Sequence, residues 1–393
     1  MKKLIIAAFL FVSIITTNAL AEIKIGIILG FTGPIESLTP AMRDSAKLAF
    51  KEASDSGSLL GGETITVLEG DSTCVDSAAA QAVATKLVSD GVVAIMGADC
   101  SGVTGAIATN VAVPNGVVMI SPSATSPGLT DLDDRGLFFR TAPSDARGGQ
   151  ILADITKDRG VKSVAITYTN NDYGKGLADV YAAAAKAHGI EVTAVTSHED
   201  GKADYSAEVA TLASAGGDAI AVIGYLDQGG KGIIQASLDS GAFDTFILSD
   251  GMIGDTLTDT FGKDLNKSFG SLPGSTGKGA TVFTDVAKAG GIDSSGPYTG
   301  ESYDAAALIV LAIQAGGSAD RGSIAKNVMA VANGPGKKIY PGQLKKALDL
   351  LAKGKAVDYE GATGVNFTDV GEAFGSFLEK EIKGGKFKTK KQR

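Results

Sequence analysis

Short, largely apolar runs alternate along this chain with longer segments in which apolar residues recur at helical spacing. The first run, Ile23 to Leu29, reads as a buried strand. Residues 41–53 follow with helical spacing, 64–68 as a strand and 77–88 as a helix. Residues 92–96 and 117–120 are again short apolar strands, with a helical segment over 101–112 between them. Strands that are apolar throughout suit a sheet covered on both faces. Their alternation with helices predicts an α/β unit with a parallel, helix-wound sheet.

The pattern restarts after Phe138 to Arg140. Residues 163–168, 191–195, 219–223 and 245–248 read as strands, and 174–187, 206–215 and 230–240 as helices. Two wound sheets in series predict two lobes of similar construction. Residues 269–279, rich in Gly, Ser and Pro, read as a connection between them. Helical spacing returns over 282–289, 303–314, 323–332 and 343–352, and two short β-like pieces, 358–367 and 373–382, close the chain. The expected division is a leader over 1–21, one lobe from 22–141 plus 274–373, and a second from 142–273 plus 374–393. Three crossings, near Thr141, Leu272 and Phe374, would join the lobes. Ligands of wound sheets gather at the carboxyl ends of the strands, so the cleft between lobes is the place to look.

The leader changes the picture most. Lys2 and Lys3 precede an apolar run from Leu4 to Ile15, and Ala19-Leu20-Ala21 resembles a cleavage site. That is the form of a secretory signal peptide, with the mature chain expected to begin near Glu22. The run is too short to span a bilayer. No cysteine stands at the cleavage point, so a lipid anchor is not expected. The expected location is an oxidising compartment such as a bacterial periplasm. The formal net charge is −8, and loss of Lys2 and Lys3 makes the mature chain more negative still, which argues against nucleic acid as a partner. The basic segment from Lys383 to Arg393 reads as a solvated terminus. In such a compartment Cys74 and Cys100 suggest one disulfide, with two buried free thiols as the alternative. A metal site finds little support, because His188 and His198 have no neighbouring cysteine.

Motifs for catalysis fail one by one. Gly274 to Lys278 invites comparison with a phosphate loop, but Leu272 and Gly279 break the spacing. Gly300-Glu301-Ser302-Tyr303-Asp304 lacks the closing glycine of a nucleophile elbow. Ser323 and Lys326 keep a Ser-x-x-Lys spacing on a helix that presents them as surface residues. No glycine-rich cradle follows the first strand, and two histidines leave few general bases. No catalytic residue and no cofactor is expected.

A polar cluster stands out instead. Met96 to Ser101 ends one strand and starts a helix, and Met119 to Pro127 ends the next. Hydroxyls and free backbone N–H groups at two adjacent strand ends suit a carboxylate. Plain helix capping by Ser101 and turn formation by Ser123 or Thr125 explain the same residues equally well.

These segments also carry a resemblance. Gly30-Phe31-Thr32-Gly33-Pro34, Asp71-Ser72-Thr73-Cys74 with Cys100-Ser101, and Ile120 to Thr125 occur in order. Asn171 to Gly176, Tyr303-Asp304-Ala305 and Asp358 to Gly364 follow. Over residues 23–386 the chain resembles the branched-chain (Leu/Ile/Val-type) amino-acid-binding proteins of ABC transporters, with the type I periplasmic binding fold. The resemblance implies a Cys74–Cys100 disulfide beside the binding turn. It implies that Ser101 and Thr125 bind an α-carboxylate and that the Ser123 carbonyl and Asp250 meet the α-ammonium. Tyr173 and Tyr225 would close over the ligand, and Leu38 and Tyr298 would line its side-chain pocket. It further implies a free amino acid as ligand, a membrane permease as partner and a monomer in solution.

Three departures stand against that frame. Leu38 replaces a tyrosine of the Leu/Ile/Val binders, Asp250 is shorter than their glutamate, and Glu301 adds an acid beside Tyr298. Glu301 is thus either a contact for a polar ligand or a solvated helix start. The runner-up function is a same-fold receptor for an amide, a small organic acid or another metabolite.

Overall fold

The computed structural model describes residues 22–393. The leader lies outside them. Strands β1 (Glu22–Leu29), β2 (Thr64–Asp71), β3 (Ala94–Gly97), β4 (Val118–Ser121) and β5 (Phe138–Arg140) form one parallel sheet in the order β2-β1-β3-β4-β5. Strands β6 (Ser163–Thr169), β7 (Glu191–His198), β8 (Ala219–Ile223), β9 (Phe246–Leu248) and β10 (Phe269–Pro273) enter a second sheet. A small parallel pair, β11 (Lys337–Ile339) and β12 (Val357–Tyr359), stands apart. Strands β13 (Phe377–Ile382) and β14 (Phe387–Gln392) complete the second sheet in the order β14-β13-β10-β9-β8-β6-β7. The two wound lobes read from the sequence are present.

The central strands are buried as their composition dictates. β8, Ala-Ile-Ala-Val-Ile, is covered along its whole length, while the edge strand β2 is only partly covered and mixes polar with apolar residues. The helix Thr299–Gly316 is buried almost all round and packs on the helix Thr39–Asp55 and on β3 and β4. It therefore belongs to the first lobe although it follows the second in sequence.

One reading of the chain is corrected. Phe269 to Pro273 is a strand of the second sheet, parallel to β9, and not part of a loose connection. The basic terminus is solvent-exposed as read, and it forms a strand: β14 pairs antiparallel with β13, and Arg393 grips the buried carboxylate of Glu379. Helices Asp145–Asp158 and Asp255–Phe261, which the apolar spacing did not disclose, flank the site described below.

The crossings meet at Arg140. Its backbone pairs with the returning segment, donating to the Gly371 carbonyl at 3.0 Å and accepting from Ala373 N–H at 3.0 Å. Its fully buried guanidinium donates to the carbonyls of Ala124 at 3.1 Å and Ser126 at 2.8 Å, and pairs with Glu372. One side chain thus ties two crossings to the Ser121–Ser126 turn.

Candidate functional site

The turn after β4 is built from its own hydroxyls. Ser121 Oγ accepts from the Ala124 N–H at 2.9 Å, and Ser123 Oγ donates to the Asp99 carbonyl at 3.1 Å. Ser101, on the neighbouring strand end, accepts from the Ser126 N–H at 3.1 Å. The disulfide implied by the resemblance is present: Cys74 and Cys100 are joined, so the segments after β2 and β3 are stapled together.

The second lobe presents Tyr173, Tyr225 and Asp250. Tyr173 rides on the first turn of a helix capped by the Asn171 side chain, which accepts from the Gly174 N–H at 3.0 Å. Gly174 is required there, because a Cβ would sit 2.1 Å from the Thr169 carbonyl oxygen. The Tyr173 and Tyr225 rings stack with centroids 5.2 Å apart. The Tyr173 hydroxyl donates to Asp250 Oδ1 at 2.7 Å and accepts from the Gly251 N–H at 3.2 Å. From the first lobe, the Tyr298 hydroxyl donates to the other oxygen of Asp250. Further bonds cross between the lobes: Ser37 N–H to Asp227 Oδ2 at 2.9 Å, Asp227 N–H to the Pro34 carbonyl at 2.9 Å, and Ser126 Oγ to the Asp172 carbonyl at 2.9 Å. The lobes are closed on each other.

Leu38, Ser101, Ser123, Tyr173, Tyr225, Asp250 and Tyr298 all line one cavity of about 30 Å³ between the lobes. Ile35 and Met42 add apolar wall. Thr125 and Glu301 do not line it. Thr125 lies just behind, with its carbonyl accepting from the Asp145 N–H at 2.8 Å and its buried hydroxyl unbonded. Glu301 is neither a solvated helix start nor a wall of this cavity. It is 4% exposed and faces a second cavity on the far side of Tyr298.

The wall also contains Asp99, which sequence reasoning passed over. Its carboxylate accepts from Gly30 N–H at 2.5 Å, Cys100 N–H at 2.9 Å and Ser72 Oγ at 3.2 Å. An acid placed directly after a buried strand and before a disulfide cysteine was the available signal. Asp145 was missed as well. It is buried, and its Oδ2 has no hydrogen-bond partner among the described residues.

The electrostatics are one-sided. Asp99 and Asp250 are both walls, and no Lys, Arg or His lines this cavity. Burial raises the pKa of both acids above the usual carboxylate range, opposed at Asp250 by the Tyr298 and Tyr173 hydroxyls and at Asp99 by its backbone donors. Asp145 is pushed up by burial and then by the charge of Asp250. Burial likewise holds Tyr173, Tyr225 and Tyr298 well above the ordinary phenol value, so all three stay neutral, and Tyr173 and Tyr298 donate to Asp250. Such a wall welcomes positive charge and N–H donors. Among the described residues no cluster of three or more His, Cys, Asp or Glu is arranged to hold a metal ion. Nor is any helix among them long and apolar enough to cross a membrane.

Known proteins agree with this architecture. The periplasmic binding protein family model matches residues 22–368. Leu/Ile/Val-binding protein homolog 1 of Brucella melitensis is 31% identical over 79% of this chain and 82% of its own length. Leu/Ile/Val-binding protein homolog 3 of the same organism is 33% identical, and that match spans 54% of this chain and 57% of the relative, little more than half of either. Two solved structures share the fold. One is the branched-chain amino acid transporter substrate binding protein LivJ from Streptococcus pneumoniae in complex with isoleucine (TM-score 0.77, 24% identity, covering 95% of this chain and 99% of that one). The other is an ABC transporter solute binding protein from R. palustris in complex with 4-hydroxybenzoate (TM-score 0.74, 18% identity, covering 95% and 97%). With its two wound lobes closed over a polar cleft and a family match along most of its length, the chain belongs to the periplasmic binding protein family, among the relatives of the Leu/Ile/Val-binding proteins.

Proposed function

We propose that this protein is the substrate-binding component of an ABC transporter, exported to the periplasm as a monomer, that captures a small amino acid between its lobes and delivers it to a membrane permease. The lobes divide as 22–141 plus 274–373 and 142–273 plus 374–393, and the ligand enters when they part. The observation that carries this reading is Asp250: a buried carboxylate at the lobe junction, held by Tyr173 and Tyr298 and facing the Ser101 and Ser123 strand ends across one cavity. An α-ammonium beside Asp250 gains a charge-assisted hydrogen bond and the faces of the tyrosines. Ser101 takes the carboxylate end together with Thr125 from behind, and Ser123 turns its carbonyl to the ammonium. Leu38, Ile35 and Met42 leave an apolar recess for a modest side chain.

A cavity of about 30 Å³ is smaller than any amino acid. Binding therefore starts from an open state in which Tyr298 has released Asp250, and a ligand favours closure only by its differential affinity for the closed form.

The wall chemistry also ranks the alternatives. An aromatic or other organic acid would bring negative charge to a wall that already holds two acids and no cation. A small amide, which brings N–H donors without charge, is the second reading.

Calorimetric titration of ligand-stripped protein separates these. The set is the common amino acids, analogues lacking the ammonium or the carboxylate, short amides, and 4-hydroxybenzoate. Micromolar or tighter binding that needs both charged groups supports the amino-acid reading. Binding of amides alone moves the function to the second, and binding of the hydroxybenzoate alone overturns both. The chain has no Trp, so indole fluorescence is not a usable reporter.

A further inference from the structure

Glu301 has no role in the cleft, yet it is buried. It lines a cavity of about 280 Å³ at the hinge, walled by the end of β10 and residues 274–276 after it, the start of the helix Thr299–Gly316 and strands β13 and β14. Around this carboxyl the groups that act are its own backbone N–H and the charge of Asp304. No side-chain donor reaches it among the described residues. Among the described residues Glu301 is the one acid on the cavity wall and Lys380 the one cation. They form no ion pair: the Lys380 ammonium donates to Thr389 Oγ1 at 2.9 Å, and its charge partner is Asp255.

A buried acid and a partly buried cation that share a cavity without meeting are complementary to the two ends of a zwitterion. Burial pushes Glu301 up to about 8 and pulls Lys380 down, so each ionises more readily once an opposite charge arrives. The volume is close to the lower bound for small-molecule sites and suits a metabolite with few heavy atoms. We infer that the hinge cavity is a second ligand site, in which Glu301 takes the ammonium and Lys380 the carboxylate of a small zwitterion. Tyr298 borders both this cavity and the cleft. An occupant of the hinge therefore bears on the residue that latches Asp250, and any coupling between the two sites is reciprocal.

The inference stands apart from the reading of the cleft, and the test keeps them separate. Glycine, β-alanine and γ-aminobutyrate are titrated into the full protein carrying Asp250→Ala, with binding followed by calorimetry and by ligand-observed NMR. The expected result is that one of the three binds once per chain, and that adding Glu301→Gln or Lys380→Met weakens it about tenfold or more, the usual effect of losing a hydrogen-bonded charge. Melting curves establish that each variant is folded, and Glu301→Gln keeps the side chain's shape. No binding of any probe up to millimolar concentration overturns the inference. So does binding that either substitution leaves unchanged.

Discussion

The Tyr298 hydroxyl, at the start of a first-lobe helix, donates to the carboxylate of Asp250, which follows a strand of the second lobe. Tyr298 is held there with φ of 59°, a left-handed conformation uncommon outside glycine and asparagine. The bond links the lobes through the very group proposed to meet the ligand. Tyr298→Phe removes it while leaving Asp250 its donor from Tyr173. The closed state then loses about 1 kcal/mol, the net worth of one hydrogen bond. Ligand affinity measured by calorimetry should fall roughly five- to tenfold. Unchanged affinity would show that the bond is not part of the ligand-bound closed state.

Asp250→Ala removes the charge that the ammonium needs. A desolvated, unpaired ammonium costs about 2–5 kcal/mol, so amino-acid binding should fall below detection while the far-ultraviolet circular dichroism stays native. A loss smaller than ~3-fold, under ~0.7 kcal/mol, would remove Asp250 from the proposed site.

The disulfide closes a loop with a sequence separation of 26. In the chain-entropy account such a link stabilises by roughly 3 kcal/mol. Reduction, or replacement of both cysteines by serine, should lower the melting temperature. Ligand affinity should drop as well, since Cys100 lines the cleft beside Ser101. A melting curve indifferent to reductant would contradict this.

Arg140 is fully buried and pairs with Glu372 while donating to the Ala124 and Ser126 carbonyls. Arg140→Met leaves both carbonyls without this donor and the carboxylate without its cation, with only the Thr130 hydroxyl still donating to it, and breaking such a pair costs about 3 kcal/mol or more. Denaturant midpoints should show this loss. The double change Arg140→Met, Glu372→Leu should recover part of it, because no buried charge is then left alone.

Burial raises Glu301 from its ordinary 4.5 to about 8 and Asp304 from 3.8 to about 6. For an acid whose pKa is raised on folding, the native state holds the proton longer than the unfolded chain. The associated stability is fully present below the unfolded pKa and is lost as pH rises through the folded one. Stability should therefore fall between about pH 4 and 8 from these two groups, and Glu301→Gln should flatten the upper part of that slope. Urea midpoints at several pH values measure it. A slope that Glu301→Gln leaves untouched would mean the carboxyl is not buried in solution.

Periodicity alone was enough to disclose two helix-wound sheets, because strands buried on both faces are apolar nearly throughout, as in β8 and over residues 25–29 of β1. It did not disclose β14. Lys, Thr and Gln at an exposed edge follow from solvent on that side and show only as a solvated terminus when read one residue at a time. Leu38, Ser101, Ser123, Tyr173, Tyr225, Asp250 and Tyr298 were legible through local motifs at strand ends and through family resemblance, and the fold gathers them around one cavity. Asp99 and Asp145 escaped notice. An acid's surroundings are set by segments distant in sequence, here the loop at Gly30 and Ser72 that bonds Asp99 and the charge of Asp250 that acts on Asp145.

Glu301 shows most clearly where the division falls. Its place beside Tyr298 was plain from sequence, and both a ligand contact and a solvated helix start were compatible with it. Tyr298 stands just before the helix in a left-handed conformation and reaches the cleft, whereas Glu301, in the first helical turn, lines the hinge cavity instead. The alternation of apolar strands with helices in two successive units was thus a property the chain itself determined, carried by neighbouring residues. Which acids share a cavity, which phenol latches which carboxylate, and which charges are left without a partner were decided only when the lobes packed, since those relations join residues far apart in sequence.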